Sequence, residues 1–340
     1  MENINWGELP FGYFKTDYNV RCYNRNGKWG EVETSSSEYI SLHMACTGLH
    51  YGQEAFEGMK AFRGKDGKIR VFRWKENAKR LRNSSYGIMM AKVSDELFLE
   101  MITKVIKLNE RFIPPYGTGA SLYIRPLLLG SGAEVGVKPS HEYMFLVFCG
   151  PVGPYFKEGF KPVKIQLVSD YDRAAPQGTG NIKVGGNYAA SLRPTARAKN
   201  DGYSSVLFTD AKEHKFIDEA GPANFFGIKN NTYITPSSNT ILPSITNMSL
   251  EQIAGDLGLT VERRPVPIEE LESFEEAGAC GTAAIISPIG LIHNRDTGKI
   301  ITFGSMNQAG PVSTKLYETL KAIQEADIED KHGWNHVIEL

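Results

Sequence analysis

Gly178-Thr179-Gly180-Asn181-Ile182-Lys183-Val184-Gly185-Gly186-Asn187-Tyr188 sets four glycines around a single lysine. Glycine accepts positive φ and lets backbone approach a ligand closely. The stretch has no G-x-x-x-x-G-K-[ST], and Gly178-x-Gly180-x-x-Lys183 lacks the third glycine of a dinucleotide fingerprint. Two readings stay open on these residues alone. One is a tight turn with a solvated lysine, the usual place for a charged side chain. The other is a walled lysine acting as an amine nucleophile. A free lysine, with a pKa of about 10.4, is protonated at neutral pH. It becomes reactive when desolvated, placed beside another cation, or condensed with an aldehyde cofactor. The last case requires phosphate donors and an acid for a pyridine nitrogen.

Working outward from the lysine, candidates for both exist downstream. Ile217-Asp218-Glu219-Ala220-Gly221-Pro222-Ala223-Asn224 places acids before a Gly-Pro turn. Leu242-Pro243-Ser244-Ile245-Thr246-Asn247 precedes a helix, whose first N–H groups make an anion site. Here Asn247 is expected to cap a helix over 248–257. Ala279-Cys280-Gly281-Thr282-Ala283-Ala284 is a run of small residues able to form a backbone anion nest. Each of the three also reads plainly as a turn or a cap.

The surroundings decide the fold class. Strands are expected over 68–74, 120–129, 142–149, 163–169, 204–209, 215–217, 224–229 and 259–266, from alternation or short apolar runs. Helices are expected over 77–90, from a Ser94 cap to Leu108, over 187–200 with a kink or an early break at Pro194, and after Gly310-Pro311 through about Glu325. The tail 331–340 gives no signal. Strands following strands with few helical crossovers argue α+β, not a doubly wound sheet. Gly150-Pro151-Val152-Gly153-Pro154-Tyr155-Phe156 has no periodicity and reads as a linker. The expected division is a small domain over 1–152, a linker over 153–160 and a larger domain over 161–340.

With 340 residues, 41% hydrophobic and 23% charged, the chain can bury large cores. Its 38 basic and 39 acidic residues balance, which gives no reason to expect a nucleic acid or an anionic membrane as partner. No signal peptide is expected from Met1-Glu2-Asn3-Ile4-Asn5-Trp6, and no apolar run nears the roughly 20 residues of a membrane helix. Cys22, Cys46, Cys149 and Cys280 lack metal or redox spacing, so buried free thiols, no metal and a cytoplasmic setting are expected.

Taken together, Lys183 to Tyr188, Glu219 to Asn224, Pro243 to Thr246 and Gly281 to Ala284 resemble the branched-chain amino acid aminotransferases, in order and spacing. His50-Tyr51-Gly52-Gln53-Glu54-Ala55-Phe56-Glu57-Gly58-Met59-Lys60-Ala61-Phe62 and Leu122-Tyr123-Ile124-Arg125-Pro126 extend the resemblance through the first half. The resemblance implies the pyridoxal-phosphate fold-type IV architecture: a small α/β domain, a larger pseudo-barrel domain, and the cofactor between them. It implies that Lys183 carries the Schiff base, Glu219 pairs with the pyridine nitrogen and Tyr188 with the phenolic oxygen. Arg80 (with Arg82 as rival), Ile245, Thr246 and Thr282 would hold the phosphate. Tyr51, Phe56, Tyr123 and Tyr155 would line the substrate pocket. Arg125 would take a distal carboxylate, and Thr282 and Ala283 the α-carboxylate. Tyr51 and Val137 would reach a neighbouring subunit's pocket, implying a homodimer with composite sites. The implied reaction exchanges the amino group of leucine, isoleucine or valine with 2-oxoglutarate, giving branched-chain 2-oxo acids and glutamate. Mammalian members carry Cys-x-x-Cys after the Gly-Thr-Ala run; Ala284-Ile285-Ile286-Ser287 stands here, so no such thiol switch is expected. The rivals are a D-amino acid transaminase or an aminodeoxychorismate lyase, against which Arg125 and the segment 56–60 argue. A cofactor-binding protein without turnover is a further rival.

Overall fold

A computed structural model describes residues 4–156 and 159–340. The chain forms two compact units: Met1–Lys157 with Ile182–Gly185 and Ala322–Leu340, and Glu158–Asn181 with Gly186–Lys321.

The first unit is one nine-stranded antiparallel sheet. Its strands are β1 (Asn19–Arg25), β2 (Lys28–Trp29), β3 (Glu33–Ser35), β4 (Glu54–Phe56), β5 (Met59–Arg63), β6 (Ile69–Phe72), β7 (Ser121–Gly130), β8 (Glu142–Val152) and a C-terminal strand, Asn335–Ile338. The order is C-terminal strand, β6, β5, β7, β8, β1, β2, with β3 on β1 and β4 on β7. Helices α1 (Thr47–Tyr51), α2 (Trp74–Gly87) and α3 (Asp95–Leu108) join it. In α3 the Ser94 hydroxyl accepts the Leu97 N–H at 3.2 Å, and Asp95 and Glu96 sit at the positive end of the helix dipole. Phe98, Met101, Ile102, Val105 and Ile106 form its buried stripe. Each such side chain contributes about 1.5–3 kcal/mol by leaving water. Phe98 stacks on Trp74 and Phe145, tying both helices to the sheet.

The second unit contains β9 (Val163–Val168), β10 (Ser205–Thr209), β11 (Ile217–Ala220), β12 (Ala223–Lys229), β13 (Thr232–Pro236), β14 (Thr260–Arg264), β15 (Glu276–Gly281), β16 (Ile285–Asn294) and β17 (Ile300–Thr302). Following β11-β10-β9-β16-β15-β12 leads back to β11, so six strands close into the expected pseudo-barrel. Its core gathers Leu167, Leu207, Phe225, Ile289 and Ile292. Three pairings are parallel, β9–β10, β9–β16 and β13–β14. Helix α4 (Gly185–Asn200) begins in the first unit and continues in the second. Helix α5 (Ile245–Asp256) and most of α6 (Pro311–Gln324) belong to the second.

Several expectations change. Gly150, Pro151 and Val152 are strand, paired with Tyr123, Leu122 and Ser121, because β7 runs long enough to hold them. Lys157 and Glu158, within the expected linker 153–160, lie outside the described residues. The unsignalled tail holds the C-terminal strand, paired with β6, so residues 322–340 group with the first unit and not with 161–340. The segment Ile182–Gly185 does likewise. Pro194 does not break α4. The carbonyl it strands is that of Ala190, an exposed residue that water can reach. The cap of α5 is Ser244, which accepts the Asn247 N–H at 3.2 Å, so the helix starts three residues before the expected 248. All four cysteines are free and buried, as expected. No helix among the described residues is long and apolar enough to cross a membrane.

Candidate active site

In the first unit the register of three adjacent ribbons sets the chemistry. On β7, Tyr123, Arg125 and Leu127 share a face, because side chains alternate along a strand. Phe56 lies opposite Leu127 and Glu54 opposite Leu129, so β4 presents both on that face. On the other edge of β4, Val184 bridges Ala55, and the Phe56 N–H donates to the Lys183 carbonyl at 3.1 Å. Val184 joins the core with Ala55, and Lys183 takes the opposite face, with Phe56. The lysine Nζ lies 4.7 Å from the Phe56 ring centroid, and the Arg125 guanidinium lies 4.7 Å from the same centroid. A cation over an aromatic face is attracted by the ring quadrupole. The Lys183 N–H donates to the Ser84 hydroxyl at 2.9 Å, and the Gly185 N–H to Glu54 Oε1 at 2.7 Å. The lysine therefore stands on a strand-like rider of the sheet, not on a solvated turn.

Arg125 donates from Nη2 to the Tyr123 hydroxyl at 2.7 Å, while its buried Nε has no hydrogen-bond acceptor. An unmet buried donor costs about 1–3 kcal/mol, which an anionic ligand beside it can recover. Arg80 forks onto fully buried Glu57, Nε to Oε1 at 2.8 Å and Nη2 to Oε2 at 2.7 Å, and Asn77 supports Oε2 at 2.8 Å. Its rival Arg82 pairs instead with Asp95. Tyr51 and Val137 are exposed, and the Tyr51 hydroxyl donates to the Val135 carbonyl. Tyr155 is exposed and packs edge-on to Phe156.

In the second unit the groups are held mainly by turns. Glu219, 3% exposed, accepts the Leu242 N–H at 2.6 Å and the Asn224 amide at 3.3 Å on Oε1. Arg173 Nε stands 3.5 Å from Oε2. The arginine also donates to the carbonyls of Gly180 and Thr240. Oε1 thus has two donors and Oε2 faces a guanidinium, as a buried acid requires. The register aligns Glu219 with Asn224 and Asn224 with Cys280, so the turn at Thr282 and Ala283 follows directly. Ile285 ends that turn at φ 64, a costly conformation for a β-branched residue and one that concentrates at functional sites. Asn224 Nδ2 also donates to the Leu242 carbonyl at 3.1 Å, tying the start of α5 to the same row. Ser244 takes the N–H of Asn247 on its hydroxyl and that of Met248 on its carbonyl. Those of Ile245 and Thr246 fall in the first turn, where a helix offers no internal acceptor. Tyr188 lies in the first turn of α4, half-buried.

Thus Lys183, Phe56, Tyr123 and Arg125 come together in the first unit, and Glu219, Ile245, Thr246, Thr282 and Ala283 gather in the second. Within the first unit Tyr51 and Val137 stand on the exposed surface. A family model for amino-transferase class IV matches residues 54–292. The chain belongs to the class IV aminotransferases. Two related aminotransferases, each called branched-chain-amino-acid aminotransferase, come from Haemophilus influenzae and Helicobacter pylori; each is 46% identical and is matched over 98% of both chains. The solved branched-chain amino acid aminotransferase of Escherichia coli superposes with a TM-score of 0.78 at 26% identity, covering 96% of this chain and 100% of that one. The branched-chain amino acid aminotransferase of T.th., solved with pyridoxamine 5'-phosphate, superposes with a TM-score of 0.79 at 25% identity, again covering 96% of this chain and 100% of that one.

Four residues beside these aminotransferase motifs escaped the sequence reading. Phe11 packs edge-on to Tyr123 with ring centroids 5.1 Å apart. Arg173 sits in a polar run, Ser169-Asp170-Tyr171-Asp172-Arg173, that looks like a solvated loop. Glu57 pairs across 23 residues with Arg80, and Glu54 across 131 with Gly185. No local pattern reveals such separations. The Phe56-Glu57-Gly58-Met59-Lys60 stretch was the only available signal for Glu57.

Proposed function

We propose that this protein is a pyridoxal-phosphate-dependent branched-chain amino acid transaminase. It exchanges the amino group of leucine, isoleucine and valine with 2-oxoglutarate, in two half-reactions. The observation that carries the reading is the sharing of one Phe56 ring by the Lys183 amine and the Arg125 guanidinium. An amine for the chemistry thereby stands beside an aromatic wall for an aliphatic side chain and a cation for a second carboxylate.

The residues present fit the cofactor. Glu219, buried beside Arg173, suits a protonated ring nitrogen. The first turn of α5 and the small-residue turn at Thr282 suit a phosphate. Bound pyridoxal phosphate supplies an electron sink for the bonding electrons of the substrate α-carbon. Lys183 would hold the cofactor at its aldehyde carbon and, once free, would serve as the base that moves the substrate α-proton. Glu219 would hold the proton on the ring nitrogen, and Tyr188 would donate to the phenolic oxygen. Arg80, fixed by Glu57, adds positive charge for the phosphate, with N–H donors of Ile245, Thr246 and Thr282.

Phe56, Tyr123 and Tyr155 shelter the aliphatic side chain from water. Arg125 binds the distal carboxylate of glutamate or 2-oxoglutarate, for which a planar guanidinium suits two-point contact. The N–H groups of Thr282 and Ala283 take the α-carboxylate common to every substrate. The exposed cluster of Tyr51, Val135 and Val137 supports a homodimer in which Tyr51 and Val137 complete the partner's site, since exposed apolar groups mark association surfaces. Four free thiols support a cytoplasmic setting. The test is amino transfer from L-leucine, L-isoleucine, L-valine and D-alanine to 2-oxoglutarate by purified protein. Turnover with the three branched L-amino acids is expected. Turnover with D-alanine alone would replace the reading with that of a D-amino acid transaminase.

A further inference from the structure

Glu54 has no place in the chemistry above, yet it sits inside the first unit's cluster. It shares the face of β4 with Phe56, two residues along, and faces Gly185 across the ribbon that carries Lys183. Its Oε1 accepts the Gly185 N–H at 2.7 Å. A Cβ at position 185 would meet that oxygen, so any larger residue there would push the carboxylate off the backbone. Burial raises the Glu54 carboxyl above its ordinary range, while the Gly185 N–H and the charge of Arg125 act the other way. Both side chains flank Phe56 on one sheet face, Glu54 two residues along β4 and Arg125 over the ring. Arg125 keeps its buried Nε without an acceptor.

We infer that Glu54 is a positioning and specificity residue: it fixes the lysine-bearing ribbon through Gly185 and moderates the pull of Arg125 on a substrate's distal carboxylate. This rests on the transaminase reading and deepens it. A pocket serving both leucine and glutamate needs an arginine strong enough to hold a carboxylate and weak enough to admit an isobutyl group. A carboxylate set back from the substrate but near the arginine tunes that balance, because charge around Arg125 weighs only on substrates that carry a distal charge themselves.

The experiment compares wild type, Glu54→Gln and Glu54→Ala as full-length holoprotein, with L-valine as common donor. The readouts are KM and kcat for 2-oxoglutarate and 2-oxoisocaproate, together with the visible absorbance of the lysine-bound cofactor. Glutamine keeps an oxygen for the Gly185 N–H and removes the charge. It is expected to retain the absorbance and to shift the ratio of the two KM values about three- to fivefold toward 2-oxoglutarate, the range of a partly screened charge pair. Alanine also removes the anchor and is expected to lower kcat with both acceptors. An unmoved KM ratio in Glu54→Gln overturns the specificity role, and this arm decides even if Glu54→Ala fails to fold. Wild-type kcat in Glu54→Ala overturns the anchoring role. A wild type that transfers no amino group sinks the transaminase reading itself, an outcome separate from an active wild type with an unmoved ratio.

Discussion

The two units hold their reactive groups by opposite means. In the first, long side chains rise from one sheet face, with Lys183, Phe56 and Arg125 placed by the register of neighbouring ribbons. In the second, the candidate donors are mostly backbone N–H groups at the ends of elements, and one of them, that of Leu242, holds the buried carboxylate of Glu219. A group of the first kind is deleted by a single substitution. A group of the second kind is lost only when its turn or helix end moves. The first unit should therefore show large, substrate-selective mutational effects, and the second small ones that act on stability and cofactor retention together.

The strongest contrast is expected from Lys183→Ala. On the proposed reading this removes the proton-moving base, and it should cut turnover by about a hundredfold to ten-thousandfold and abolish the visible absorbance of the lysine-bound cofactor. An unchanged spectrum would remove Lys183 from the centre of the first unit's set. Next in size, Arg125→Ala should reduce kcat/KM for 2-oxoglutarate about tenfold to a hundredfold more than for 2-oxoisocaproate, as loss of a charge-assisted contact does. Equal losses with both acceptors would make the arginine structural.

Ser244→Ala tests the second unit. Removing the cap should cost about 1 kcal/mol of stability and weaken cofactor retention modestly, read by thermal melts and by dialysis of the holoprotein. If retention is untouched, the first turn of α5 does not serve the phosphate. A last expected effect, on stability and not on turnover, concerns Lys60, whose amine burial lowers to about 8. Its folded pKa lies below the unfolded value, so between about 8 and 10.4 the unfolded chain binds more protons and this group's contribution to stability rises with pH. The penalty of the buried charge is present in full below that window. Lys60→Met should lack the rise, seen as a smaller gain in Tm relative to wild type between about pH 8 and 10. Parallel curves would show that the amine is solvated.

The same contrast explains what the sequence could reveal. Strand β7, and β8 as far as Cys149, were legible because their apolar runs carry no turn signal, and α3 because its cap, acidic first turn and apolar spacing agree. The small-residue runs at Pro243–Thr246 and Gly281–Ala284 stood out, since anion sites need close backbone approach. Closure of the barrel was not legible from residues alone, because β11 has only four residues and its two pairings depend on distant strands. Asn335-His336-Val337-Ile338 was too short and too polar to read as a strand without β6 beside it. Glu54 and Arg173 were invisible because each acts through a partner far away in sequence or within a polar stretch. The early break at Pro194 is absent from α4 because local propensity cannot know which carbonyl water reaches.

Ring closure through β11 has a mechanical consequence. Only two residue pairs join β11 to β10, with an irregularity between them, and only two join it to β12. The shortest stave therefore seals the cask, and it is the stave that bears Glu219. A molecule gripping that carboxylate from outside would act as a rivet across the weakest joint, and emptying the site would loosen the hoop at the place where the acid is set.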